Sequence, residues 1–260
     1  MPREGKHSQK RRSKQMVRSL QNDQNSRYGG IGELETTEAS LKKYNEDIVM
    51  KFAKFLSLEQ THNVLVDFGS GTGSLSDIWK NKFEISPLCV EVDPDLTQTL
   101  KNKGYQTFER IEEIPFLIDA VFTSNVLEHI QEDEKCLKEI RKALKPGGKI
   151  AIYVPAFEVL YSQLDRNVGH FRRYGREELI SKLELAGFRV EKCIYSDSMG
   201  FLASLLVKIL RFHKNGVLCS TSSLRIYDTI FYPISRLLDF MGFRFLFGKN
   251  LIAFAIAESN

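Results

Sequence analysis

The 260-residue chain has little with which to build a structural metal site or a disulfide framework. Cys89, Cys136, Cys193 and Cys219 stand far apart, and no C-x-x-C pair or Cys/His cluster suggests zinc, so no metal ligands are expected. No signal peptide opens the sequence, which makes a reducing cytoplasm the expected compartment. No uncharged apolar run reaches the roughly 18 residues that would span a bilayer, which excludes a transmembrane helix. Net positive charge is also confined to one place. Seven Lys and Arg against Glu4 give the first eighteen residues +6 of the net +4, leaving about −2 for the rest. A slightly acidic body does not offer the basic surface that nucleic acid requires, so nucleic acid is not expected as a partner. Residues 1–28 hold few apolar side chains to pack and read as a basic disordered tail.

What remains is globular. A hydrophobic fraction of 42% with 27% charge suits a chain long enough to bury a full core. The richest stretch is VLVDFGSGTG, at residues 64–73. An apolar strand ends in Asp67, then Gly69, Ser70, Gly71 and Gly73 turn the chain into a helix. Glycines at such a turn admit a ligand close to the backbone, and the N–H groups of the helix start favour its polar or anionic parts. Another buried strand begins at Leu88 and delivers Asp93 twenty residues after Gly73, the spacing of a ribose-binding acid. A dinucleotide site would look similar. An acid before the glycines, however, can meet a cation, and an ammonium plus a ribose suit S-adenosylmethionine better than NAD.

Together with VEVDPD, DAVFTSNVLEHI and LKEIRKALKPGGKIAIYVP, this stretch resembles the class I S-adenosylmethionine-dependent methyltransferases, from about Leu34 onward. The resemblance implies an α/β, Rossmann-like seven-stranded, mostly parallel sheet with helices on both faces and the last strand antiparallel. It implies S-adenosyl-L-methionine as cofactor, with Asp67 and the glycines at its methionine end, Asp93 at the ribose and Asn125 on the crevice floor. For the tetrapeptide at residues 127–130 two readings stand. Either it faces the reacting methyl group, or it starts a helix with Leu127 and Ile130 inward and Glu128 and His129 outside.

Ahead of the first strand, residues 38–58 repeat apolar positions at helical spacing. Thr36 or Thr37 would cap this helix, and Tyr44 is either a site contact or core. Past the fifth strand, YSQLDRNVGHFRRY (residues 161–174) has no clear period but is dense in functional side chains, as ligand-contacting loops at strand carboxyl ends are. Methyl transfer to oxygen or nitrogen needs a base. His170 is preferred because histidine titrates near neutrality, with His129 second. Tyr161, Asp165, Arg172, Arg173 and Tyr174 are the candidate acceptor contacts. Alternatively, His170 and Arg172 merely tie the loop down. GHFRRY followed by AGF resembles a bacterial branch associated with cell-envelope saccharides and secondary products.

The expected organisation is a tail (1–28), a methyltransferase core (29–198), an apolar helical insertion (199–249) and a final core strand (250–260). The insertion is either a lid packed on the crevice or an interfacial patch making a peripheral membrane contact. The expected activity is O-methylation of a small-molecule or saccharide acceptor, including a lipid-linked one. RNA methylation prompted by the tail, or an inactive cofactor-binding module, are the alternatives.

Overall fold

The computed structural model describes residues 39–58, 63–209 and 221–258. The basic tail and Thr36 and Thr37 lie outside the described residues.

Seven strands form one sheet: β1 (Leu65–Phe68), β2 (Leu88–Val90), β3 (Thr107–Phe108), β4 (Ile118–Ser124), β5 (Leu144–Pro155), β6 (Phe188–Ser196) and β7 (Asn250–Ala257). Their spatial order is β3-β2-β1-β4-β5-β7-β6. Pairing is parallel from β3 through β5, whereas β7 runs antiparallel to both β5 and β6. The Rossmann-like expectation therefore holds, reversed strand included. The connecting helices are α1 (Lys42–Leu56), α2 (Ser74–Phe83), α3 (Pro94–Asn102), α4 (Asp133–Ala143), α5 (Gln163–Asn167) and α6 (Arg176–Leu185).

Both faces of the sheet are covered because successive strand residues point to opposite sides. Val66, Val121, Ile150 and Ile152 join Leu137, Ile140, Leu179 and Leu183 of α4 and α6 in one core. Their neighbours Leu65, Phe122, Ala151 and Tyr153 join Ile48 and Phe52 of α1 and Trp79 of α2 in the other. Buried chains of this size are each worth about 1.5–3 kcal/mol, so the two layers dominate the fold's stability.

Local readings shift in three places. The helix bearing Tyr44 starts at Lys42 after Leu41, which supplies no side-chain cap. KPGGK ends α4 but is carried within β5, as an outward excursion between the pairs Ile118↔Leu144 and Ala120↔Lys149. The segment with no clear period contains α5, started by a capping box in which the Ser162 side chain and the Asp165 carboxylate exchange bonds with each other's backbone N–H.

Residues 210–220 of the insertion lie outside the described residues; its described parts include the helix α7 (Ser198–Ile209) and, as one separate continuous run, α8 (Thr221–Ile226), a π-helical segment (Tyr227–Phe231) and α9 (Tyr232–Phe240). The burial of the run from Thr221 to Phe240 is inverted. Asp228, Tyr232, Ser235 and Asp239, spaced by four, three and four residues on one face, are buried. Asp228 accepts from the N–H groups of Lys43 (3.0 Å) and Tyr44 (2.9 Å). Tyr232 Oη donates to Asp47 at 2.7 Å, and Asp239 accepts from the N–H groups of Asp197 (2.9 Å) and Ser198 (3.1 Å). The opposite face exposes Ile226, Ile230, Ile234, Leu237 and Phe240. Tyr44 itself is core: its hydroxyl shares a hydrogen bond with Tyr153 and accepts one from Asn250, each 2.9 Å long. Among the described residues no helix is long and apolar enough to cross a membrane.

Candidate active site

The glycine turn sits where β1 ends between β2 and β4. Gly69, Gly71 and Gly73 all take positive φ, at 76°, 55° and 82°. Gly69 and Ser70 donate their N–H groups to the Val90 carbonyl, at 2.9 and 3.2 Å, which folds the turn over the end of β2. Asp67 is buried, and its Oδ2 accepts from Ser76 Oγ at 2.7 Å. The Ser70 hydroxyl turns inward to the Asp67 carbonyl. Glu91 closes the other side. One of its oxygens accepts from Gly71 N–H (2.8 Å) and the other from Asp93 N–H (3.0 Å). Burial raises its carboxyl above the ordinary value, more than these bonds lower it.

Asp93 caps the next helix. Its Oδ1 accepts from the N–H groups of Asp95 (2.9 Å) and Leu96 (3.1 Å), capping α3 with Pro94 at the first helical position. The carboxylate lying against the glycine turn is Glu91. Its signal was in the sequence: it is the first residue past β2, while Asp93 precedes a proline as helix caps do.

The second half of the site grows from the end of β4. Asn125 takes φ 54°, is exposed and donates its N–H to the Tyr153 carbonyl at 2.8 Å. Val126 then packs so tightly on Gly69 that a Cβ there would lie 2.3 Å from Val126 Cγ2. The following turn, Leu127–His129, is a single 3-10 turn. Within it Glu128 has no exposed surface, and among the described residues neither of its carboxylate oxygens has a hydrogen-bond partner. The reading that put Glu128 outside is thus overturned: the short turn rotates it inward beside Leu127, while its carbonyl accepts from Phe171 N–H at 2.8 Å.

That bond draws the Tyr161–Tyr174 loop over the turn. His170 Nε2 stands 3.9 Å from Glu128 Oε1, and the His129 and His170 rings meet edge to face with centroids 4.6 Å apart. Ligating atoms of Glu128, His129 and His170 all lie within 4.8 Å of one another. Burial pushes Glu128 up to about 8, against its own backbone N–H and the pull of the Arg173 charge. Burial, then the neighbouring His170, pulls His129 down to about 4, against a backbone hydrogen bond to Gly169. His170 Nδ1 is 2.9 Å from Asp165 Oδ1. Burial would raise Asp165, but bonds from His170 and Arg173 outweigh it and hold its carboxyl far below the usual range.

Residues 66–152, which carry both the glycine turn and the Glu128–His129 turn, match the family model described as a methyltransferase domain. The chain carries a methyltransferase domain. Its cofactor is S-adenosylmethionine. The fold is similar to that of an Archaeoglobus fulgidus SAM-dependent methyltransferase (21% identity over 82% of this chain and 94% of that one, TM-score 0.52). It is also similar to the [4+2]-cyclase SpnF (18%, 83% and 81%, TM-score 0.55) and to Haemonchus contortus phosphoethanolamine N-methyltransferase 2, solved with S-adenosyl-L-methionine (19%, 82% and 52%, TM-score 0.53). At these identities the likeness is one of fold.

Within this methyltransferase the candidate acceptor contacts are bonded within the loop and to the segment at Gln131 and Asp133. Tyr161 Oη donates to the His170 carbonyl at 2.6 Å. Arg173 Nε donates to Asp165 at 2.8 Å. Arg172 reaches the Gln131 carbonyl and Asp133, each at 2.7 Å. Tyr174 is buried and donates to Asp133 at 2.7 Å. These side chains fasten the loop and, through Asp165, orient His170. The convergence of Glu128 with the two histidines was not readable from spacing, because His170 lies forty-one residues beyond His129.

Proposed function

We propose that the methyltransferase transfers its donor's methyl group to a hydroxyl oxygen of a small-molecule or saccharide acceptor, including one borne on a lipid. The observation that carries this reading is the contact of Gly69 with Val126. It sets the segment bearing Glu128 and His129 directly against the donor turn, with His170 brought in from above. Asp67, Gly69, Ser70, Gly71 and Gly73 would hold the methionine end of the donor. Glu91 would take the ribose role expected of Asp93, and Asn125 would line the crevice floor. Displacement at a sulfonium is chiefly a matter of alignment, so the remaining task is to take a proton from the acceptor. His170, oriented through Nδ1 by Asp165, presents Nε2 for this, and His129 stands beside it.

The inverted insertion supports the lipid part of the proposal. Among the described residues, twelve of the twenty exposed large hydrophobics lie between Leu202 and Leu246, with Arg225 and Arg236 exposed among them. An apolar face with basic residues beside it is suited to an anionic interface. The protein would work in the cytoplasm and dock there peripherally.

Titration calorimetry with S-adenosylhomocysteine tests the donor site: saturable binding is expected, and its absence removes the reading. A mass-spectrometric screen of saccharide and lipid-linked hydroxyl acceptors, scored by a gain of one methyl group, tests the acceptor class. Methylation confined to amines would overturn the oxygen assignment.

A further inference from the structure

We propose that Glu128, His129 and His170 bind a divalent first-row transition-metal ion, Zn2+ or Mn2+ in type, that receives the acceptor's hydroxyl oxygen. Two independent features point there. The first is convergence: one carboxylate and two imidazoles from segments far apart in sequence bring ligating atoms within 4.8 Å of each other. Donors roughly 2.0–2.2 Å from one ion lie about 3–4 Å apart, so the widest separation has to close by about 1–2 Å. The second is the state of Glu128, which is fully buried and, among the described residues, receives no well-formed hydrogen bond on either oxygen, its own backbone N–H giving only partial relief. A carboxylate desolvated in this way is costly unless a cation answers it. Arg173, the neighbouring guanidinium, is spent on Asp165 at 2.8 Å and the Ala156 carbonyl at 3.4 Å.

The surroundings have the form of a metal site's outer layer. Asp165 holds His170 through Nδ1 at 2.9 Å, leaving Nε2 turned to Glu128. Gly169, on the same loop, makes a backbone hydrogen bond to His129. Carboxylate and backbone partners on the far ring nitrogen orient ligating histidines and raise their basicity. Two nitrogens and a carboxylate favour a transition ion over Mg2+ or Ca2+, which prefer all-oxygen shells. Three protein ligands also leave coordination positions open for an incoming oxygen.

The use of the ion rests on the methyl-transfer reading; its binding does not. A hydroxyl on the ion is acidified. Its O–H bond breaks, and the proton passes to the Glu128 oxygen not on the ion and then to water. The oxygen's electron pair forms the C–O bond as the C–S bond breaks, and the sulfonium leaves as the neutral thioether of S-adenosylhomocysteine. In this arrangement His170 ligates rather than accepting the proton.

The test is a Co2+ titration of the chelator-stripped full chain, followed by visible d–d absorption. Saturation at one ion per chain, reversal by Zn2+, loss in Glu128→Gln and His170→Gln, and about 10–100-fold weakening in Asp165→Asn are expected. S-adenosylhomocysteine calorimetry on each variant reports that it is folded. On the unmutated chain, Zn2+ should shift the imidazole nitrogen resonances of two histidines. Donor binding without Co2+ absorption or imidazole shifts overturns the metal site alone, as does Co2+ binding undiminished in the folded variants. Loss of donor binding with metal binding intact overturns the methyl-transfer reading instead.

Discussion

Gly69 is the residue on which the two halves of the site meet. Its φ of 76° is costly for a side chain, and a Cβ would lie 2.3 Å from Val126 Cγ2. The left-handed conformation alone costs about 1–2 kcal/mol. Gly69→Ala is therefore expected to weaken S-adenosylhomocysteine binding about tenfold or more, measured by calorimetry, because relief of the clash moves Val126 and the Glu128 turn with it. His170→Gln addresses the other half: turnover should fall about 10²-fold or more with donor affinity unchanged, and single-turnover kinetics would read the split. At this scale the sequence was legible where local geometry sets the role. Asp67 and the glycines could be read because a strand-to-helix turn needs them in that order. Asp93 drew the ribose role by its spacing, although the Pro after it marks a helix cap. Glu128 could not be placed, because a three-residue 3-10 turn and a helix start differ only in the last few tens of degrees of side-chain direction.

The elements around the site are locked by Asp133 at the start of α4. It takes bonds from Tyr174 Oη and Lys182 Nζ, each at 2.7 Å, and pairs with Arg172 at 2.7 Å. Burial alone would raise its carboxyl, but the bonds from Lys182, Tyr174 and Arg172 prevail and leave it below the usual value. A depressed folded-state value means a stabilisation that is complete above the unfolded value of about 3.9 and lost as pH falls through the folded one. Asp133→Asn should then cost about 1–3 kcal/mol at neutral pH. In chemical denaturation the gap from the unmutated protein should narrow below about pH 4. A gap that persists at pH 2 would mean that packing, not charge, holds α4 to α6 and the loop. The elements were legible to within a few residues because apolar periodicity is local. The loop was not, since α5 is one turn long and rests on a capping box rather than on a period.

Across the whole molecule, the Thr221–Phe240 run of the insertion joins the fold by its polar side and meets solvent by its apolar side. Excising residues 199–249 would strip partners from the N–H groups of Lys43, Tyr44 and Asp197, so the informative variants lie on the outer face. Leu237→Ser with Phe240→Ser should leave the melting temperature within a few degrees, since both residues are exposed at 58% and 80%. Flotation with anionic liposomes should drop several-fold. Unchanged flotation would remove the membrane contact. The sequence displayed the insertion's apolar richness but not its inversion, because Asp228, Tyr232, Ser235 and Asp239 reveal their face only against their partners on α1 and at the end of β6.

β7 carries a consequence for how the chain reaches this state. It lies between β5 and β6, and its pairs with β5 join residues roughly a hundred apart in sequence, Lys149↔Ile256 and Pro155↔Asn250 among them. The inner edges of β5 and β6 therefore cannot be sealed until almost the entire domain has been synthesised. Closing such distant pairs is slow, and an open edge invites pairing with other chains. Folding of this methyltransferase should thus show a late phase in which amide protection appears together on β5, β6 and β7. Its crowding-sensitive interval comes before that phase, while β1–β4 are already assembled and able to hold the donor turn.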